Sequence, residues 1–72
     1  MKFWILKKTE IGQTQAYLVA AENAEQARGV MALWMDERRA SGATWEDSEL
    51  TSCEELALPE NASVLNLLDV LD

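Results

Sequence analysis

Histidine is absent from this chain of 72 residues, and cysteine and proline occur once each. The lack of histidine excludes histidine-based general acid–base catalysis and the Ser–His and Cys–His nucleophile pairs. The single Cys53 cannot form an internal disulfide, which favours a reducing compartment. No apolar run approaches the roughly 20 residues of a membrane span or the roughly 7 to 15 of a secretory signal. We therefore expect a cytoplasmic protein that does not enter a membrane.

Basic residues are absent from the second half of the chain. Six bases and five acids precede residue 40, and no base follows it. The net charge of −7 therefore arises from eight later carboxylates, which are Glu46, Asp47, Glu49, Glu54, Glu55, Glu60, Asp69 and Asp72. Because phosphate binding depends on lysine and arginine, direct nucleic-acid binding is not expected. The asymmetry points either to a basic protein partner or to solubility alone.

The first third of the sequence is typical of a β-hairpin. Residues 2–8, "KFWILKK", are rich in β-branched and aromatic side chains, and both faces of "FWIL" are apolar, as in a central strand. Residues 15–21 predict a second strand. Between them, "TEIGQTQ" predicts a turn with Gly12 at a positive φ angle.

A helix is predicted from Asn23 to about Ala40. Asn23 suits the N-cap, and Gln26 stands three residues later as its capping-box partner. Gly29 in the helix interior would be explained by a close approach to the sheet. The apolar residues that follow helical spacing, and so form the expected buried stripe, are Ala27, Val30, Met31 and Trp34.

The C-terminal third is less regular. Residues 50–58 fit a strand or a short helix; a strand is preferred, because a two-stranded sheet is too thin to stand alone. A short terminal helix is expected on a stripe of Val64, Leu67, Leu68 and Leu71. The order β-β-α-β predicts one small α+β domain over residues 1–72, with a three-stranded antiparallel-type sheet and one main helix on one face. The other face would need the C-terminal segment or another molecule to cover it.

Candidate chemical sites are weak. Glu46 with Asp47, or Glu54 with Glu55, could act as an acid–base pair, but adjacent residues of a strand point to opposite faces. The stretch "WEDSE" lacks the spacing and the glycine of a calcium loop. Cys53 is flanked by Ser52 and Glu54, and nearby carboxylates would raise its pKa, which favours a structural role. No cofactor and no metal are expected.

The acidic residues around Trp45 form the more specific candidate site. Carboxylates spaced along a loop or strand can imitate a run of phosphates and accelerate association with a basic surface. Trp45 is either an aromatic anchor of that interface or a cap on the open end of the core. The candidate partner-binding residues are Trp45, Glu46, Asp47, Glu49, Glu54 and Glu55.

The segments "FWILKK", "YLVAAENAEQAR" and "TSCEEL", together with Trp45, resemble a loose group of small acidic proteins encoded by phages and prophages. The likeness spans most of the chain. That group has no established reaction, so the resemblance implies only an accessory role for a phage or mobile element.

Two functions are therefore expected, neither of them enzymatic. The first is a protein-binding module that uses its acidic half to block a basic, nucleic-acid-binding surface of a host defence protein, such as a CRISPR or restriction component. The alternative is a structural or assembly subunit that forms a homodimer through an uncovered sheet face or strand edge, with acidity serving solubility alone.

Overall fold

The computed structural model describes residues 1–64 and confirms a small α+β fold with a three-stranded antiparallel sheet. The elements are β1 (Lys2–Glu10), β2 (Gln13–Ala21), α1 (Ala24–Glu37), a 3-10 helix (Ala43–Glu46) and β3 (Thr51–Glu55). The strand order is β2-β1-β3, so β1 is central, as its two apolar faces predicted. The terminal helix predicted from residue 64 onward lies largely outside the described residues.

The hairpin is tighter than the sequence predicted. β1 and β2 pair along their full length, from Lys2 opposite Ala21 to Glu10 opposite Gln13. The seven-residue turn expected over residues 9–15 is therefore reduced to Ile11 and Gly12. Gly12 has a φ angle of 78°, as predicted, and only glycine adopts this conformation at little cost.

The start of α1 follows its predicted cap. The Asn23 side chain accepts a hydrogen bond from the Gln26 backbone N–H at 2.8 Å. The Gln26 side chain in turn accepts from the Glu22 N–H at 2.7 Å. These bonds satisfy backbone donors that a helix N-terminus leaves without partners and fix the boundary between β2 and α1.

The helix ends at Glu37, three residues earlier than predicted. Arg39 adopts a left-handed backbone with a φ angle of 59°. Its N–H donates to the carbonyl of Asp36, and the N–H of Ala40 donates to the carbonyl of Met35, both at 3.0 Å. This pair of bonds is a Schellman motif. The motif stops α1 although no glycine occupies the left-handed position.

The buried face of α1 is rotated from the predicted stripe. Val30 is 44% exposed and Trp34 is 37% exposed, so the prediction that both belong to the core is wrong. α1 packs against the 3-10 helix as well as the sheet, which turns its buried face toward that helix. The buried residues of α1 are Ala27, Met31, Ala32 and Met35.

The two faces of the sheet differ in composition. Leu6 is fully buried beneath α1, with Trp4 packed against the same core. On the opposite face Ile5 is buried, whereas Phe3 and Leu18 are 38% and 53% exposed. The predicted third strand is present but shorter than residues 50–58.

The glycine that permits a close approach is Gly42, and the explanation offered for Gly29 is wrong. A Cβ atom at Gly29 would meet no atom within 4 Å. A Cβ atom at Gly42 would collide with the backbone carbonyl of Ala32 and with the carboxylate of Asp36. The Gly42 N–H donates to that carboxylate at 3.0 Å, which holds the chain against α1 as it enters the 3-10 helix.

Replacement of Gly29 by alanine should stabilise the protein. Alanine lowers the conformational entropy of the unfolded chain and meets no obstacle here, so Gly29→Ala should add about 0.5 to 1 kcal/mol to the free energy of unfolding. Chemical denaturation followed by circular dichroism measures the change. Gly12→Ala is the matched control and should destabilise the protein, since its φ angle of 78° is unfavourable for alanine. A destabilised Gly29→Ala would contradict the open space at this position.

Candidate functional site

Three of the predicted carboxylates lie in one connection. Glu46 closes the 3-10 helix, and Asp47 and Glu49 follow before β3 begins. All three residues are exposed. We call residues 46–49 the acidic loop.

The other two predicted carboxylates lie on β3 and do not share a face. Glu55 is opposite Trp4, on the side covered by α1, whereas Glu54 is opposite Ile5, on the other side. Glu55 also lies 3.6 Å from the ammonium group of Lys2. This ion pair is solvent-exposed and weak, but it removes part of the negative field of Glu55. The structure therefore does not bring the five carboxylates together, and the candidate site reduces to the acidic loop.

Trp45 belongs to the core. Its side chain is 1% exposed, and its ring meets the Tyr17 ring edge-on, with centroids 5.5 Å apart. The interface anchor proposed from sequence would require an accessible indole, so that role does not fit the structure. A buried aromatic immediately before the loop fixes where the loop leaves the globule.

Arg28 is the residue that sequence reasoning missed. It lies outside the apolar stripe predicted for α1, yet it is half-buried. One guanidinium nitrogen donates to the carbonyl of Trp45 at 3.1 Å and to the hydroxyl of Thr51 at 2.7 Å. The other donates to the carbonyl of Thr51 at 3.2 Å. Arg28 thus ties α1 to both ends of the acidic loop. No spacing in the sequence signals these contacts, because Trp45 and Thr51 are 17 and 23 residues away.

The acidic loop is also fixed from within. The carboxylate of Asp47 accepts the Glu49 N–H at 2.8 Å. The carbonyl of Asp47 accepts the N–H groups of Leu50 at 3.2 Å and Thr51 at 3.1 Å, and also the Thr51 hydroxyl at 2.9 Å. The Asp47 side chain therefore shapes the loop, whereas those of Glu46 and Glu49 extend from a fixed backbone.

Within residues 1–64, no three cysteine or carboxylate side chains lie close enough to hold a metal ion. An open depression of about 640 Å³ lies beside the acidic loop. Mostly polar residues of all three strands and the acidic loop line this depression. They include Lys7, Thr9, Thr14, Ser48, Glu49 and Ser52.

The pKa of the Cys53 thiol is raised, as expected, but for a different reason. Burial raises the pKa of its thiol above the ordinary value near 9, and the nearby Arg28 guanidinium opposes that shift. The side chain faces α1, with its sulfur 4.0 Å from the carbonyl of Ala24. Desolvation, rather than the neighbouring carboxylates, accounts for the raised pKa of the Cys53 thiol.

Comparison with protein-family models, with curated proteins and with solved structures found no match. Over residues 1–64, none of the helices has the length and apolar character needed to cross a membrane.

Arg28→Lys should loosen the acidic loop while keeping the positive charge. Lysine cannot supply two donor groups in a fixed fork, so the carbonyls of Trp45 and Thr51 lose partners, at a cost of about 2 kcal/mol in the free energy of unfolding. Cleavage by a glutamate-specific protease at Glu46 and Glu49 should accelerate, as measured by mass spectrometry. The exposed Arg39→Lys serves as control. Unchanged cleavage in Arg28→Lys would show that this residue does not hold the loop.

Cys53 should make the fold less stable at alkaline pH. A thiol whose folded-state pKa is raised contributes stability that is complete below the unfolded pKa and is lost as pH rises toward the folded pKa. Unfolding midpoints should therefore fall above pH of about 9 in the native chain and fall less in Cys53→Ala. Alkylation by iodoacetamide at pH 8 should also be slower in the folded protein than in urea. Equal rates in the two states would contradict the protected thiol.

Proposed function

We propose that this chain is a non-enzymatic protein-binding module that presents its acidic loop to a basic surface on another protein. The observation that carries the proposal is the fixed backbone of residues 46–49, held by Arg28 and by the turn at Asp47. An exposed acidic segment that served solubility alone would not need these supporting hydrogen bonds.

Rigidity favours binding, because a loop already held in one conformation loses less entropy when a partner engages it. The carboxylates of Glu46 and Glu49 take no part in the hydrogen bonds that shape the loop. Their charges are therefore available to a partner. No base follows residue 39 in the sequence, and the net charge of −7 steers a positive surface toward the protein, with Lys7 lining the same depression as Glu49.

The partner class follows from the same chemistry. Carboxylates at the spacing of a short loop resemble consecutive phosphates, so a surface that normally holds nucleic acid is the best fit. The resemblance to small acidic phage and prophage proteins narrows the proposal to a host defence protein, such as a CRISPR or restriction component, whose nucleic-acid site would be blocked.

Charge reversal at two loop positions should abolish such binding. Glu46→Lys combined with Glu49→Lys changes the local charge by four units and leaves the structural Asp47 in place. In capture experiments from bacterial lysate, basic proteins retained by the native chain at low salt should be lost with this variant. They should also be released by added duplex DNA and by salt of about 0.5 M, because the interaction is screened.

The control variant carries the same total charge elsewhere. Glu37→Lys combined with Glu60→Lys alters two exposed carboxylates outside the acidic loop. It should retain the captured proteins. If both double variants lose binding equally, only net charge matters and the acidic loop is not a recognition site. If neither loses it, the contact lies elsewhere on the molecule.

A further inference from the structure

The connection that follows α1 carries a short motif that the proposed function does not use. Residues 38–41 read "RRAS", so two arginines stand three and two residues before a serine. All four residues are exposed and lie in no helix or strand. A guanidinium group forms paired hydrogen bonds with a carboxylate, so a cleft lined by carboxylates recognises arginines at fixed positions. The motif indicates an enzyme that binds the two arginines and acts on the serine hydroxyl.

Both arginine side chains are accessible to such an enzyme. Arg39 is exposed, and the side chain of Arg38 is 51% exposed. The Arg38 guanidinium stacks on the Trp34 ring at 3.6 Å and donates to the Trp34 carbonyl at 3.0 Å. It also lies 4.0 Å from the carboxylate of Glu37. Cation–π contacts and ion pairs are weak at exposed sites, so a cleft with several carboxylates can displace them.

The backbone of the motif is held only locally. A substrate segment enters a kinase cleft in an extended conformation, so the turn has to open. Arg39 has a φ angle of 59°, which is unfavourable for a residue with a Cβ atom. The Ser41 hydroxyl lies 3.2 Å from the Thr44 hydroxyl in an exposed contact that water can replace. Opening the turn breaks the Schellman bonds but relieves the unfavourable φ angle, and it leaves the sheet intact.

The other serine and threonine hydroxyls lack this combination, and the sequence has none beyond residue 64. Those that are buried or half-buried are Thr44, Thr51 and Ser52. Those that are exposed but have no base among the three preceding residues are Thr14, Ser48 and Ser63. Thr9 follows two lysines, but it pairs with Thr14 in the sheet, so its entry into a cleft would break backbone bonds of β1. Ser41 alone combines exposure, an irregular backbone and preceding arginines.

We propose that Ser41 is phosphorylated by an arginine-directed serine kinase. The Ser41 Oγ attacks the γ-phosphorus of a magnesium-bound nucleoside triphosphate. The Oγ–P bond forms as the bond from that phosphorus to the β,γ-bridging oxygen breaks. The nucleoside diphosphate leaves, and the hydroxyl proton passes to a carboxylate of the kinase. This site is separate from the acidic loop and does not depend on the proposed function.

The modification changes the charge at a point where the chain is held against α1. A phosphoserine carries a charge of about −1.5 to −2 at neutral pH. The N–H of the next residue, Gly42, donates to the Asp36 carboxylate at 3.0 Å. A phosphate beside that carboxylate repels it, and the two preceding arginines partly offset the repulsion. The added charge therefore acts on the entry to the 3-10 helix.

Phosphorylation in vitro tests the site. The folded chain, incubated with magnesium ATP and the catalytic subunit of cyclic-AMP-dependent protein kinase, should gain a phosphate that mass spectrometry locates at Ser41. Ser41→Ala should gain none. Arg38→Gln combined with Arg39→Gln should lower kcat/KM about a hundredfold, because two charge-assisted contacts with the cleft are lost. Lys2→Gln combined with Lys8→Gln removes the same charge elsewhere and should leave kcat/KM unchanged. Circular dichroism should show folded variants, since both arginine side chains are exposed.

A second pair of variants separates local opening of the turn from global unfolding. Gly29→Ala and Gly12→Ala should shift the free energy of unfolding in opposite directions, and neither residue belongs to the motif. Both should be phosphorylated at the native rate. A rate that follows the free energy of unfolding would show that the hydroxyl is reached only in the unfolded chain and would overturn the site. No uptake by the folded chain, uptake at Ser48 or Ser63, or uptake unaffected by loss of the two arginines would overturn it as well.

Discussion

The guanidinium of Arg28 is the interaction on which the rest of this small structure depends. It reaches from α1 to the carbonyl of Trp45 and to both oxygens of Thr51, the residues on either side of the acidic loop. Without it, these partly buried groups would lack charged donors, and the position of the acidic loop would depend on the hydrogen bonds at Asp47. Arg28 belongs to the first half of the chain, where acids and bases are nearly equal in number. It thus positions the acidic loop of the second half. Its guanidinium donates to neutral carbonyl and hydroxyl oxygens rather than to the carboxylates of the acidic loop.

The sheet separates the acidic loop from the uncharged strand edge. β1 lies in the centre, and its neighbours β2 and β3 form opposite edges. The acidic loop leads into β3, whereas the uncharged edge and an apolar groove belong to β2. A surface that attracts by charge and a surface that associates by hydrogen bonds and apolar contact would interfere if they overlapped, because burying unpaired carboxylates is costly. The lining of the groove beside β2 contains no charged residue.

Local chemistry predicted much of the fold, and contacts between distant residues account for most of the differences. Asn23, Gln26 and Gly12 act on their immediate neighbours, so their roles could be deduced from sequence. The early end of α1 could not be, since Arg39 occupies a left-handed position that glycine usually fills. The roles of Arg28 and Trp45 required the placement of the 3-10 helix against α1, which no periodicity encodes. The alternation along β3 did predict that Glu54 and Glu55 diverge, yet charge counting grouped them in one site.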